Sequence, residues 1–136
     1  MLTRKTLSLA DAKTIAAAAS AKAQAEGWNV VVAILDAGGH LLYLERADNT
    51  QVGSAIVAQE KARGAFLFKR PTKVFEDMML TGGKANLAHL PGAVPVEGGL
   101  PLIHDGELVG AIGISGVTSA QDGQVAQAGA DVLSTL

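Results

Sequence analysis

The fold of this chain is organised around its middle, which reads SAIVAQEKARGAFLF at residues 54–68 and KRPT at residues 69–72. The first run predicts a helix over Ser54–Phe68, because four residues recur at the i, i+4, i+8, i+11 spacing that keeps side chains on one stripe. These residues are Val57, Lys61, Ala65 and Phe68. A lysine on this otherwise apolar stripe makes Lys61 a candidate for chemistry.

Two residues after this helix determine where it ends and which element comes next. Pro71 cannot continue a helix, because its ring clashes with the preceding turn. Thr72 is a natural N-cap, so a further helix is predicted over Lys73–Leu80. The segment Thr81–Ala93 has three glycines and a proline without a clear period, which is typical of a long loop with a functional role. Val94–Glu97 is predicted to be a short strand.

Upstream of the middle, the sequence predicts a helix and a β-hairpin. SLAD at residues 8–11 is a variant of the capping box and starts a helix over Leu9–Glu26. The run Asn29–Asp36 is β-branched and apolar on both faces, a pattern typical of a central, covered strand. A short turn, AGG at residues 37–39, leads to a return strand over His40–Arg46.

Downstream, a second hairpin and a last helix are predicted. Asp105-Gly106 is the strongest short hairpin signal in the chain, and it is flanked by the strand candidates Leu100–His104 and Glu107–Ser115. A second capping signal, SAQD at residues 119–122, starts a helix that ends near Leu133.

This order of elements defines the expected fold. A length of 136 residues corresponds to one domain, spanning residues 1–136. Both hairpins require antiparallel pairing, and the strand–helix–strand alternation of a doubly wound fold is absent. We therefore predict an α/β domain of the α+β type, with an antiparallel sheet of about five strands and helices packed on it.

The composition excludes several classes of protein. The net charge is −2 and no basic patch stands out, which argues against a nucleic-acid partner. The absence of cysteine excludes disulfides and thiolate ligands. No membrane-spanning run or signal-peptide stretch is visible, so no membrane partner and a cytoplasmic location are predicted. A chain rich in alanine and glycine with few charges favours a homo-oligomer, at least a dimer.

Six segments, taken in order, resemble the GlcG/HbpS family of small haem-binding or haem-degrading-like proteins, which also occurs as the C-terminal domain of PduO-type proteins. They are DAGGHLL at 36–42, KA at 61–62, FKRPT at 68–72, PGAVP at 91–95, GAIGISG at 110–116, and QD at 121–122 leading into a helix with AG at 128–129. The resemblance covers nearly the whole chain.

The resemblance implies a profilin-like fold, homo-oligomers and a groove near Arg70-Pro71-Thr72. Some members of the family bind haem or a corrinoid, and others belong to catabolic operons. The leading prediction is a small-molecule binding protein, with haem or a related tetrapyrrole as its ligand. The alternative is a cofactor-free enzyme that acts on a small carboxylate or keto acid by proton transfer. A third interpretation is an accessory protein without chemistry of its own.

Arg70 and Thr72 are the first candidates for binding a ligand. The Arg70 guanidinium can hold a carboxylate or a haem propionate through a bidentate fork, or it can simply close a helix at the surface. Thr72 can offer its hydroxyl and the N-terminal N–H groups of the next helix to an anion, or act as a plain N-cap.

Four further residues complete the predicted site. Lys61 is a candidate catalytic base or imine-forming amine if desolvated, and otherwise extends its amine to water. His40 is a candidate general base or ligand, or an exposed turn residue. His89 can reach over a bound ligand from the loop, or remain solvated there. Arg46 is a further candidate ligand-binding residue. The three histidines lack metal-site spacing, so no metal is predicted.

Overall fold

The fold consists of four α-helices and four β-strands, and the computed structural model describes all 136 residues. The elements are α1 (Leu9–Glu26), β1 (Val31–Asp36), β2 (Leu41–Arg46), α2 (Ser54–Phe68), α3 (Thr72–Leu80), β3 (Gly99–His104), β4 (Glu107–Ser115) and α4 (Ser119–Asp131). Two short 3-10 helices cover Ala85–His89 and Val132–Thr135. The predicted helices and hairpin strands are confirmed to within two residues at each end. None of the helices has both the length and the apolar character needed to cross a bilayer.

The four strands form one antiparallel sheet in the order β2-β1-β4-β3. Asp105 and Gly106 connect β3 to β4, and their φ angles of 51° and 79° are both positive. A two-residue hairpin turn of type I′ requires positive φ at both positions, which explains why the Asp-Gly pair predicted this hairpin correctly.

The side chains of β1 show how the helices are layered on the sheet. Successive side chains of a strand point to opposite faces. Val32 and Ile34 enter the main core, which α1 and α4 also line. Val31 and Ala33 face the other way and pack against Ala58 of α2. The sheet is therefore covered by helices on both faces, as the doubly apolar sequence of β1 predicts.

The predicted strand at Val94–Glu97 is wrong, so the sheet has four strands instead of about five. The N–H of Val96 donates to the carbonyl oxygen of Val94 at 2.8 Å, which folds the segment back on itself. The N–H of Glu97 donates to the side chain of Glu76 at 3.3 Å. The N–H groups of Val96 and Glu97 are thus used locally or by a side chain instead of in a ladder.

Two helix starts also differ from the prediction by one residue. Pro71 precedes α3, and Thr72 lies in the first helical turn with its side chain towards the sheet. The cap of α4 is Thr118, whose hydroxyl accepts the N–H of Gln121 and completes a capping box. Ser119, the predicted cap, is instead the first residue inside the helix. One-residue uncertainty is usual where two hydroxyl residues are adjacent.

Helix α2 lies close to the sheet because the residues at the contact are small. Its buried residues are Ser54, Ala58, Lys61, Ala62, Gly64 and Ala65. The predicted stripe is therefore correct at Lys61 and wrong at Val57, which is 40% exposed. A Cβ placed on Gly113 of β4 would collide with the carbonyl oxygen of Ala58 and lie 2.6 Å from the nitrogen of Ala62. Glycine at position 113 thus sets the spacing between α2 and the sheet.

Strand β3 forms one edge of the sheet. The N–H of Gly99, its first residue, donates to the hydroxyl oxygen of Thr72 at 3.0 Å. Pro101 lies two residues further along the same strand. Proline has no N–H and is tolerated in sheets at edge positions of this kind. The edge position of β3 is thus consistent with its sequence.

Candidate functional site

The junction between α2 and α3 holds Arg70 at the surface. Lys69 ends α2 in the left-handed region, with a φ of 52°. The exposed side chain of Arg70 donates from its Nε to the carbonyl oxygen of Phe68 at 3.1 Å. Its guanidinium carbon lies 5.7 Å from the ring centre of Phe75, within the range of a cation–π attraction. Arg70 forms no ion pair, so its charge is available to an anion.

Thr72 is buried beneath the same junction. Its side chain is fully covered, and its hydroxyl oxygen accepts the N–H of Gly99. A Cβ on Gly99 would collide with the carbonyl oxygen of Lys61 and lie 2.8 Å from the methyl group of Thr72. The hydroxyl therefore joins α3 to β3 and is turned away from solvent.

Lys61 occupies the core between α2, β4 and α4. It is 2% exposed, and its Nζ donates to the carboxylate of Asp122 at 2.9 Å and to the carbonyl oxygen of Ile114 at 3.0 Å. Asp122 also accepts the N–H of Val117 at 3.1 Å. Burial raises the pKa of the Asp122 carboxyl, and the hydrogen bond and charge of Lys61 offset part of the rise. The amine of Lys61 is thus a structural partner of a buried acid.

Glu97 is a second acid with an altered titration. Its carboxylate packs against Gly123 of α4, where a Cβ would collide with it. Burial raises the pKa of Glu97 above its ordinary value of 4.5, Lys73 lowers it, and the charges of Glu76 and Asp77 add to the rise. The segment before β3 therefore places the carboxyl group of Glu97 at the start of α4. This carboxyl group keeps its proton to a higher pH than usual.

We expect Glu97→Gln to make the protein more stable than the natural chain at neutral pH and to leave it nearly unchanged near pH 4. A raised folded-state pKa means that the folded protein keeps its proton longer than the unfolded chain. The stability that this retained proton contributes is fully present below pH 4.5, the ordinary pKa, and is lost as the pH rises through the raised pKa. Thermal unfolding of both proteins across this range measures the difference in Tm. A difference that stays constant with pH would show that Glu97 titrates normally.

Two loops converge on the C-terminal end of α2. A Cβ on Gly39, in the turn after β1, would lie 2.6 Å from the ring of Phe66, and one on Gly92 would lie 2.6 Å from Leu67. The turn and the loop that carry His40 and His89 thus both contact this end of the helix. We call this surface the α2 terminus; it comprises His40, Phe66, Leu67, Arg70, His89 and Leu90.

The two histidines of the α2 terminus are open to solvent. The side chain of His40 is 82% exposed, and its Nδ1 lies 3.6 Å from the carboxylate of Asp36. His89 is exposed at the end of the 3-10 helix Ala85–His89. No group of three or more histidine, aspartate or glutamate side chains is arranged to hold a metal ion. Each imidazole is therefore available to a ligand as a single donor.

Arg46 lies far from the other predicted residues. It ends β2, which is one edge of the sheet, while Thr72 contacts β3 at the opposite edge. Neighbouring strands are about 4.8 Å apart, so three strand spacings place the two edges roughly 14 Å apart. His40 and His89 lie in segments that contact the end of α2, and Arg70 follows that end, whereas Arg46 lies at the other end of β2 from His40.

The acid partner of Lys61 is not predictable from sequence. Asp122 is 61 residues from Lys61 in the chain, and its local pattern indicates only a helix start. A lysine on an apolar stripe indicates that a buried acid is needed, but the chain contains 13 aspartates and glutamates. The sequence offers no signal that selects Asp122 among them.

Comparison with known proteins identifies the family. The chain matches the model of the family described as haem degrading protein HbpS-like over residues 7–131. It is 44% identical to protein GlcG of Escherichia coli strain K12 over 115 residues, which are 85% of each chain. The crystal structure of protein ORFY from Klebsiella pneumoniae is similar with a TM-score of 0.90 and 32% identity, covering 100% of this chain and 96% of that one. The crystal structure of the PduOC:heme complex is similar with a TM-score of 0.82 and 31% identity, covering 93% and 94%.

These matches extend from the first helix to the last, so they concern the whole fold and not a single motif. They confirm the resemblance that the six sequence segments indicate. The chain belongs to the HbpS-like family.

Proposed function

We propose that this protein binds haem or a related tetrapyrrole at the α2 terminus. The observation that carries the proposal is that two exposed imidazoles, His40 and His89, lie on loops that contact the end of α2, and that Arg70, whose guanidinium forms no ion pair, follows the same helix end. Support also comes from the relative described as the PduOC:heme complex, which shares this fold at 31% identity.

The residues of the α2 terminus fit the chemistry of haem. Imidazole is a common axial ligand of haem iron, so His40 or His89 would hold the metal. Arginine binds carboxylates through charge-assisted hydrogen bonds, so Arg70 would hold a propionate. Leu67 and Leu90 are 45% and 38% exposed and offer apolar surface to the macrocycle. When bound, the haem would supply redox and ligand-binding chemistry at iron.

We further propose that copies of the chain associate. Apolar side chains remain exposed on α2, on α3 and on the loops that flank α2, namely Val52, Ile56, Val57, Leu67, Val74, Leu80, Leu90 and Val96. Large apolar side chains left exposed on several neighbouring segments of the chain favour a protein–protein contact. Light scattering at micromolar concentration tests this, and a monomer would reject it. The cytoplasmic location stays a prediction.

Arg70→Ala is expected to weaken hemin binding by roughly 10- to 100-fold, since a charge-assisted hydrogen bond contributes about 1.5–3 kcal/mol. Titration with hemin, followed by the Soret band, measures the affinity and the stoichiometry. Arg63→Ala is the matched control, because Arg63 is an exposed arginine on α2, the helix that leads into Arg70, and forms no ion pair. Equal weakening in both variants would show a general charge effect and would contradict a role of Arg70.

The axial ligand is identified by His40→Ala and His89→Ala. We expect one of the two to shift the Soret band and lower the affinity, while the far-ultraviolet circular dichroism stays unchanged. A stoichiometric Soret band that is unaffected in both variants and in the double variant would place the haem elsewhere on the molecule.

Proton transfer on a small carboxylate or keto acid remains the alternative prediction. The amine of Lys61 is engaged with Asp122 in the core, so a substrate could reach it only after the ion pair had opened. His40 is open to solvent and requires no such rearrangement. No contact in the structure favours this alternative over ligand binding.

A further inference from the structure

The end of α1 turns the chain back so that Trp28 packs beside its own helix. Gly27 adopts a left-handed conformation with a φ of 76°. Its N–H donates to the carbonyl oxygen of Gln24 at 3.1 Å, and the N–H of Trp28 donates to that of Ala23 at 2.8 Å. These two bonds form a Schellman motif, which normally brings the residue after the glycine against the last helical turn. Trp28 is therefore fixed in position by backbone geometry.

The pairing of β1 with β2 brings Arg46 to the same place. Val31 pairs with Arg46, and the N–H of Ala47 donates to the carbonyl oxygen of Val30 at 3.1 Å. Trp28 and Arg46 consequently line one cavity of about 290 Å³ between the end of α1 and the end of β2. This volume lies just below the lower limit of about 300 Å³ that is usual for small-molecule sites.

The charged groups of this cavity are available to a ligand. Arg46 forms no ion pair, and neither does Asp48, which lines the same cavity. Glu45 also lines it and accepts a long hydrogen bond of 3.4 Å from the hydroxyl of Tyr43. The negative charge of Glu45 raises the pKa of Tyr43. One arginine, two acidic residues and Trp28 thus line the same cavity.

We propose that this cavity binds a free α-amino acid with an apolar side chain. The ligand carboxylate would pair with the guanidinium of Arg46, which suits bidentate binding. The ligand ammonium would pair with Asp48 or Glu45, and its side chain would pack on Trp28. A zwitterion with an apolar tail satisfies both signs of charge in the cavity, whereas a simple anion or cation satisfies only one.

The test uses L-phenylalanine as the probe and the fluorescence of Trp28 as the readout. Trp28 is the only tryptophan, so excitation at the red edge of the indole band reports this site alone. We expect a saturable change with L-phenylalanine. Phenylpropionate lacks the amine and phenethylamine lacks the carboxylate, and each is expected to bind at least about tenfold more weakly, because each leaves one charge contact unmade. The absence of a saturable change, or equal binding of either analogue, would overturn the proposal.

Arg46→Gln is expected to weaken L-phenylalanine binding at least about tenfold and to leave the weak binding of phenethylamine unchanged. Arg63→Gln, an exposed arginine on α2, is the matched control and should retain the affinity of the natural chain. The double variant Asp48→Asn, Glu45→Gln should weaken the binding of L-phenylalanine and leave the binding of phenylpropionate unchanged. Unaltered circular dichroism verifies the fold of each variant. Unchanged L-phenylalanine affinity in Arg46→Gln would remove Arg46 from the site and contradict the proposal.

Discussion

Replacing Lys61 by methionine is expected to lower the free energy of unfolding by about 3–5 kcal/mol, the usual cost of removing one partner of a buried ion pair. Methionine fills the space of the lysine stem but carries no charge. Asp122 is then left in the core, with backbone N–H groups such as that of Val117 as its remaining donors. Urea denaturation followed by circular dichroism gives the free energy. Lys13→Met, at an exposed position of α1, should change it by less than about 0.5 kcal/mol.

The pairing itself is tested by a second substitution. Lys61→Met combined with Asp122→Asn removes both charges and keeps an oxygen for the N–H of Val117, so we expect it to recover more than half of the lost stability. The loss in Lys61→Met alone should also be smaller at pH 5 than at pH 8, because a protonated Asp122 no longer leaves a bare charge in the core. If the double variant is as unstable as Lys61→Met, the damage comes from packing and the ion pair is not responsible.

Gly113→Ala is expected to destabilise the protein by about 3 kcal/mol, at the upper end of what overpacking costs. The added methyl would collide with the carbonyl oxygen of Ala58, which is backbone and cannot swing aside. Helix α2 would have to move away from β4 as a unit. Because Lys61 lies on α2, this movement should also strain its contacts with Asp122. Thermal and urea denaturation measure the loss.

Gly53→Ala is the matched control for Gly113→Ala. Gly53 lies at the start of α2 with a φ of −60°, and a Cβ there meets nothing within 4 Å. Its substitution should be neutral or slightly stabilising, because alanine restricts the unfolded chain more than glycine does. Comparable losses at both positions would mean that the contact with α2 does not explain the effect at Gly113.

Features of the fold that depend on neighbouring residues were predictable from sequence. Ser8 and Asp11 form the expected capping box of α1, and Asp105-Gly106 forms the expected hairpin turn. In both cases the physical cause lies within four residues, so the chain carries the full signal locally. The strand predicted at Val94–Glu97 failed for the opposite reason. The segment turns back on itself between Val94 and Val96, and the side chain of Glu76 takes the N–H of Glu97, contacts that no local pattern announces.

The candidate site was predictable only as a set of residues, not as an arrangement. Arg70 and the histidines were recognisable by their chemistry, but their convergence on the α2 terminus depends on glycines 39 and 92 packing against α2. Arg46, predicted to lie with them, ends β2 at the other end of that strand from His40. The ion pair of Lys61 with Asp122 spans 61 residues, so it is a property of the folded layers and not of any local pattern.

The free edge of β3 has a consequence for how copies of the chain can meet. A second β-strand can extend a sheet only if the outward row of N–H groups is available to it. Gly99 and Pro101 occupy that row; the first donates to Thr72 and the second has no hydrogen to donate. A continuous sheet across subunits is therefore blocked at this edge, and so is fibril-like stacking on β3. Copies that associate must do so through their helical surfaces or through β2, the other edge strand.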